Sequence, residues 1–303
     1  MPFEVTNLDE APSEPNPIYN HPWIEDKTTF GAFRVKIDSP FGFDFVFVEF
    51  TKLSRPKDIY LVICRDGAGN TSLAEMHDAA LKTCDTKDGV KDGVIENPLK
   101  CAFDPRVLLC KGAESASCLT AAQVEAARLT YQGPRGLFPG LEPGSETGWA
   151  TLSSAKPMAL AEEVYKFLVY KDPNWNYLTF DAARDIARAE KETGALMDSI
   201  DANLRPFFYR HGKLLLYHGW ADPGIAPRNT VNYYTSVVRA MGSARTANAV
   251  RLFMMPGAGH CAGGDGPSNF DALGVLEQWA EQGRAPDRIV ATHLSGGVVD
   301  RTR

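Results

Sequence analysis

The chain lacks several features that would place it in a class at once. None of its 303 residues form an apolar run approaching the ~20 residues of a membrane-spanning helix, so no membrane partner is expected. It has no basic run, and a formal net charge of −6 argues against a nucleic-acid partner. Met1-Pro2-Phe3-Glu4 is not the start of a secretory signal peptide. No C-x-x-C is present, and no pair of histidines lies near the clustered cysteines, as a zinc site would require. The motif G-x-S-x-G, which sets a nucleophilic serine on a sharp strand-to-helix turn, occurs nowhere. Gly67-Ala68-Gly69 lacks the G-K-[ST] that would make it a phosphate loop.

What is present is concentrated between Lys213 and Cys261. Leu214, Leu215, Leu216 and Tyr217 form a short apolar run, as a strand buried on both faces would. Asp222 follows in a turn. Asn229 to Met241 places Val231, Tyr234, Val237, Val238 and Met241 on one helical face. Leu252 to Met255 reads as a second buried strand, and Pro256-Gly257-Ala258-Gly259 as the turn that delivers His260. The unit is strand, helix, strand, with an acid after the first strand and an imidazole after the second. In a parallel sheet both loops lie at the carboxyl edge, where open α/β sheets keep their chemistry. Asp then His is the second half of the Ser, Asp, His order of the α/β-hydrolases. The chemistry asks for these types: His takes a proton from a nucleophile, and a buried carboxylate fixes its tautomer.

The literal residues H-G-W-A-D-P-G-I-A-P and P-G-A-G-H-C-A-G-G-D-G-P resemble the corresponding motifs of the tannase/feruloyl esterase family of α/β-hydrolases. The resemblance runs from about Ser72 to the C-terminus, roughly three quarters of the chain. It implies that Asp222 is the catalytic acid and His260 the base. His218, one residue before Gly219, reads as a structural histidine at a strand end.

The same resemblance calls for a nucleophile elbow of the form G-C-S-T-G-G, and nothing in the chain matches it. The nearest stretch is I-Y-L-V-I-C-R-D-G-A-G-N, where Cys64 closes an apolar run but Arg65 stands in place of serine. Two explanations follow. In the first, the segment with the elbow and oxyanion hole has been lost and the chain is truncated, as its stop at G-V-V-D-R-T-R also suggests. In the second, the chain is a divergent relative in which Cys64 pairs with Cys261. Should turnover occur, Ser72 is the first nucleophile to examine.

Cys84, Cys101, Cys110 and Cys118 read as two short disulfide loops, which belong to an oxidising compartment. The resemblance implies the pairing Cys84–Cys101 and Cys110–Cys118 and a secreted or periplasmic protein. A bridge closing a loop of ~15 residues is worth about 3 kcal/mol in the chain-entropy model. Between the first pair lies C-D-T-K-D-G-V-K-D-G-V-I-E-N-P-L-K-C, with Asp85, Asp88 and Asp92 close together and Gly89 and Gly93 directly after the second and third. A hard cation takes about six to eight oxygens, and the spacing is not that of an EF-hand. By resemblance this is the family's structural calcium loop, with the carboxylates of Asp85, Asp88 and Asp92 and the carbonyls of Val90 and Val94 as ligands.

Elsewhere, residues 1–25 hold five prolines and read as an extended arm. Thr29 to Phe50 carries a β-hairpin signal, and Ile59 to Cys64 is another strand. Helices are expected over Leu73–Leu81, Leu119–Tyr131 with Thr120 as N-cap, Ala159–Tyr170, Phe180–Glu192 from about Asp181, and Phe270–Trp279. Gly133 to Gly148 is a Pro/Gly-rich loop of the kind that binds ligands. Val290 to Leu294 is a short final strand or loop. Trp149, Trp175, Tyr177, Phe207 and Phe208 are candidates for an aromatic wall, though each is as well suited to a core.

The expected architecture is α/β: an incomplete α/β-hydrolase sheet with an inserted calcium-binding, disulfide-stapled lid. The divisions are 1–71 for an N-terminal β-rich remnant, 72–210 for the lid, and 211–303 for the part carrying acid and base. The implied chemistry is serine-type hydrolysis of small aromatic esters, feruloyl or galloyl in kind. The alternatives are a calcium-stabilised binder of phenolic esters without turnover, or a fragment that does not fold.

Overall fold

A computed structural model describes residues 72–133 apart from 114 and 116, 138–151 and 159–303, with the backbone of three earlier strands. Contacts divide the chain into two compact units: Met1–Glu75, Pro105–Arg128 and Leu152–Met197 in one, and Met76–Asp104, Leu129–Thr151 and Asp198–Arg303 in the other. This differs from the division read from the sequence, because residues 76–104 and 129–151 group with the C-terminal part. Side-chain ties explain the regrouping: His77 meets Asp265, and Arg303 meets Asp88. Contacts so distant in sequence leave no local signal.

In the first unit, β1 (Glu4–Asn7), β2 (Gly31–Lys36) and β3 (Phe45–Glu49) form an antiparallel sheet. The β2–β3 pair, with Gly31 opposite Glu49, is the hairpin read from the alternating residues. Residues 1–25, read as an extended arm or an irregular lead-in, contain β1, whose Glu4–Asn7 pairs with β2 from Lys36 back to Phe33. Four residues among prolines are too few for alternation to stand out. Ile59–Cys64 lies outside the described residues, and with it the Cys64 end of the alternative bridge to Cys261. Cys110 and Cys118 are bridged, and Leu109 and Leu119 are joined by a parallel bridge beside them. The helix α2 (Ala121–Gln132) starts with a capping box: the Thr120 hydroxyl accepts the Gln123 N–H at 3.2 Å, and the Gln123 side-chain oxygen accepts the Thr120 N–H at 2.7 Å.

The same unit holds α3 (Ala159–Glu163), which runs on into a π-helical turn over Val164–Val169. It also holds α4 (Ala182–Ala189), capped by Asp181 and followed by a second π turn and the short α5 (Ala195–Met197). Trp175 is stacked between Tyr165 and Tyr170, at centroid distances of 5.2 and 5.4 Å. Trp175 and, in the other unit, Trp149 are buried, so these two aromatics of the expected wall are core residues.

In the second unit, α1 (Ser72–Cys84), which begins in the first, leads to the Cys84–Cys101 bridge. Both disulfides therefore pair as the resemblance implied. After α6 (Arg205–Tyr209) comes β4 (Leu214–Gly219), then α7 (Arg228–Met241), α8 (Ser243–Ala249) and β5 (Val250–Met255). β4 and β5 are parallel and in register from Leu214 with Val250 to Gly219 with Met255. Val237 and Met241 of α7 pack on Ala249 and Val250, with Leu214, Leu216 and Phe208 around them. Burying such side chains stabilises by ~1.5–3 kcal/mol each, which makes strand, helix and strand one rigid frame.

Full burial of both strands was expected and is not found. Most of their residues are half-buried, and Tyr217 is 47% exposed. Among the described residues each strand has only the other as partner. The chain closes with α9 (Ala272–Gln282) and an antiparallel hairpin of β6 (Thr292–Ser295) and β7 (Val298–Thr302). Only the first of these strands was expected.

Candidate active site

The frame of β4, α7 and β5 holds two loops side by side. Gly219 ends β4 where a Cβ would lie 2.2 Å from the Ala258 carbonyl oxygen, so only glycine allows the turn after β5 to close on it. The closure is tied by backbone bonds from Trp220 N–H to Met255 O (2.8 Å) and from Ala221 N–H to Ala258 O (2.9 Å). Gly266 serves the same end: a Cβ there would fall 1.7 Å from the Pro256 oxygen, and its N–H bonds to Gly257 O at 3.1 Å. The residues after each strand are thereby pinned to one another.

Asp222 and His260 meet at this junction. The His260 Nδ1 lies 2.8 Å from Asp222 Oδ2. Asp222 is 2% exposed, and its other oxygen accepts the N–H groups of Gly224 at 2.7 Å and Ile225 at 2.9 Å. Oδ2 also receives His218 Nε2 at 3.0 Å, and the His218 Nδ1 lies 2.7 Å from the Thr230 hydroxyl. Burial by itself would raise the Asp222 pKa. The hydrogen bonds from His218, Ile225, His260 and Gly224 outweigh it and hold the carboxyl well below its usual range. The carboxylate is charged, fixed and out of water. His260 by contrast has a side chain 57% exposed, and with Nδ1 turned to Asp222 its Nε2 is the nitrogen left for proton transfer.

The supports of this junction were not read from the sequence. Arg228, the first residue of α7, donates Nε and Nη2 to the two oxygens of the buried Glu142, at 2.8 and 2.7 Å. This two-point fork fixes the start of the helix that carries Thr230. A second imidazole centre lies in the same unit. His77, 7% exposed, sets Nδ1 3.0 Å from Glu146 and Nε2 3.3 Å from Asp265. Glu146 further accepts the Tyr131 hydroxyl at 2.6 Å. A lone His on a helix and two acids in loops gave no sign of meeting.

The acidic loop is drawn in around a cation of the chain's own. The Arg303 Nη2 lies 2.8 Å from Asp88 and 3.3 Å from Asp92, and its Nη1 2.9 Å from Glu96. Asp85 is buried, with its oxygens accepting the N–H groups of Asp92 and Gly93, each at 3.1 Å. Val94 is buried and Val90 exposed. Carboxylate and carbonyl oxygens suit a hard cation, but this arrangement serves a guanidinium. Among the described residues no group of three or more His, Cys, Asp or Glu is set to hold a metal ion. Cys261, with a positive φ of 61°, is exposed and is the free cysteine among the described residues. No described helix is long and apolar enough to cross a membrane.

An uncharacterized esterase of Xanthomonas campestris pv. campestris is 38% identical over 283 residues, covering 74% of this chain and 49% of that protein. A probable feruloyl esterase B-2 of Aspergillus terreus is 36% identical over 245 residues, covering 73% of this chain and 46% of that protein. The crystal structure of feruloyl esterase B from Aspergillus oryzae superposes with a TM-score of 0.71 at 31% identity, covering 76% of this chain and 51% of that one. The chain thus spans about half the length of the curated relatives it matches. The family model described as tannase and feruloyl esterase matches residues 66–303, and the chain belongs to that family.

Proposed function

We propose that this chain contributes the acid and base of a serine-type carboxylic ester hydrolase acting on esters of hydroxylated aromatic acids. The observation that carries the reading is the 2.8 Å contact between His260 and a buried, charged Asp222 at the ends of two parallel strands. In that scheme His260 Nε2 takes the proton of a serine hydroxyl as it attacks the ester carbonyl. Asp222 holds the Nδ1–H tautomer and stabilises the imidazolium. The same proton then passes to the departing alcohol, and water repeats the sequence to release the acid. The relatives' names, feruloyl esterase among them, support the aromatic acyl group. The two disulfides support a secreted or periplasmic setting. Calcium belongs to the proposal as an alternative occupant of the loop at Asp85, Asp88 and Asp92, entering where Arg303 withdraws. There its role is to hold the loop, apart from the acid–base chemistry.

The test is hydrolysis of methyl ferulate and methyl gallate by the purified chain, with and without calcium, beside His260→Ala. Turnover abolished in the variant supports the reading, with Ser72, the first residue of α1, the first nucleophile to replace. A folded chain that binds these esters saturably without turning them over overturns it in favour of a binder.

A further inference from the structure

We propose that His218 is a positioning residue of the acid–base pair: a neutral imidazole whose Nε2–H holds Asp222 Oδ2 and limits how strongly that oxygen binds the His260 proton. The inference rests on the esterase reading for its consequence, but its geometry stands without it. Asp222 has two oxygens and four donors. Oδ1 is taken by two backbone N–H groups, which cannot move without breaking the turn at Pro223. Oδ2 alone faces side chains, and it faces two imidazoles, His218 at 3.0 Å and His260 at 2.8 Å. The two are not equivalent. The His218 side chain is 13% exposed and the His260 side chain 57%. His218 also has its second nitrogen engaged, 2.7 Å from the Thr230 hydroxyl.

A neutral imidazole carries one N–H and one acceptor nitrogen. Oδ2 of a charged carboxylate can only accept, so the His218 proton lies on Nε2. Nδ1 is then an acceptor, and the Thr230 hydroxyl donates to it. Asp222 thereby fixes the tautomer of His218, and the Thr230 hydroxyl on α7 holds the ring at its other nitrogen. The exposed imidazole is left to exchange protons while the enclosed one stays a fixed donor. A donor on Oδ2 spreads the charge that His260 feels, so His260 gives up its proton more readily. A base with its affinity kept near the working pH is the more effective catalyst.

The test is imidazole NMR on the whole chain, which needs no turnover. In the wild type the nitrogen shifts of His218 should report a proton on Nε2 and none on Nδ1. The variant His218→Leu removes the donor with little change in bulk, and His260 should then hold its proton about tenfold more tightly, one pH unit in the midpoint of its ring titration. His218→Gln, whose amide can reach Oδ2 as a donor, should restore the wild-type midpoint. Thr230→Val, which keeps His218 and its Nε2–H on Asp222 and is the safer variant to fold, should leave the His218 proton on Nε2 and move the His260 midpoint less than His218→Leu does. A His218 proton on Nδ1 in the wild type overturns the proposal, as do Leu and Gln variants that leave the His260 midpoint alike. Failure to hydrolyse any ester, with these shifts as expected, counts against the esterase reading alone.

Discussion

Two imidazole–carboxylate centres in the same unit are built in opposite senses. Around Asp222 one carboxylate lies between two histidines. Around His77 one histidine lies between two carboxylates, Glu146 and Asp265. The residue types are the same, but the outcomes differ. A histidine held at both nitrogens by acids has no free nitrogen and is a trapped imidazolium. For His77 burial works against the charge, yet the hydrogen bonds it donates to Asp265 and Glu146 overcome it and push its pKa up to about 10. A carboxylate held between two histidines leaves one of them, His260, with an exposed nitrogen. Catalytic competence lies in which group is in the middle.

The sharpest break between the centres is expected in activity. Asp222→Asn should lower ester turnover by ~10⁴, because the amide no longer dictates the His260 tautomer. Glu146→Gln should leave kcat within a few-fold, in the same assay, as it touches neither loop of the acid–base pair. Equal losses from both variants would make the His77 centre part of the chemistry and end the contrast.

Stability against pH should separate them next. The folded pKa of His77 lies above its unfolded value of about 6.5. Its contribution is therefore fully present below pH 6.5 and is lost as pH rises through about 10. The loss should be about 3–5 kcal/mol by denaturant titration, reduced because Asp265 is half exposed. In Glu146→Gln most of this pH dependence should vanish. Asp222, its pKa depressed, contributes in the other direction: its stabilisation is present above the ordinary carboxylate range and lost only as strong acid protonates it. A stability curve flat between pH 6.5 and 10 would mean that His77 is not a trapped cation.

A third carboxylate cluster, at Asp88 and Asp92, has the guanidinium of Arg303 as its partner. If Arg303 and calcium compete for it, Arg303→Gln should raise calcium affinity about tenfold, read by calorimetry. Thermal stability without calcium should fall by about 1 kcal/mol or less, as for exposed ion pairs. Identical calcium affinity in wild type and variant would show that the guanidinium does not compete for the loop.

These contrasts also mark what the sequence discloses. Asp222 and His260 are legible because each follows an apolar run within one strand, helix and strand, and the turn residues Pro256 to Gly259 announce the second loop. The paired cysteines and the helix starts at Thr120 and Asp181 are local as well, and the Asp181 carboxylate accepts the N–H of Arg184, three residues on. What stayed hidden is long in range. Glu142 meets Arg228 across 86 positions, His77 meets Glu146 across 69, and Arg303 meets Asp88 across 215. No periodicity encodes such pairs. Of the aromatics that suited either a wall or a core, packing places Trp149 and Trp175 in cores. The polar T-H-L-S and V-V-D-R-T strands lack the apolar alternation that would mark the final hairpin.

The smallest effect expected comes from the start of α2, and it serves as the baseline for the others. Thr120→Ala removes the hydroxyl that accepts the Gln123 N–H and dismantles the capping box. The cost should be about 1 kcal/mol in denaturant unfolding, typical of a lost N-cap. The far end of the same helix carries Tyr131, whose hydroxyl donates to Glu146. Tyr131 is half-buried against Phe103 and Trp149, which meet its ring edge-on, and these contacts hold it irrespective of the first turn. Thr120→Ala should therefore lower stability equally at pH 6.5 and pH 10 and leave turnover unchanged. Should the loss instead grow toward low pH, the charge on His77 depends on the whole of α2, and the second centre extends through Tyr131 to the helix cap.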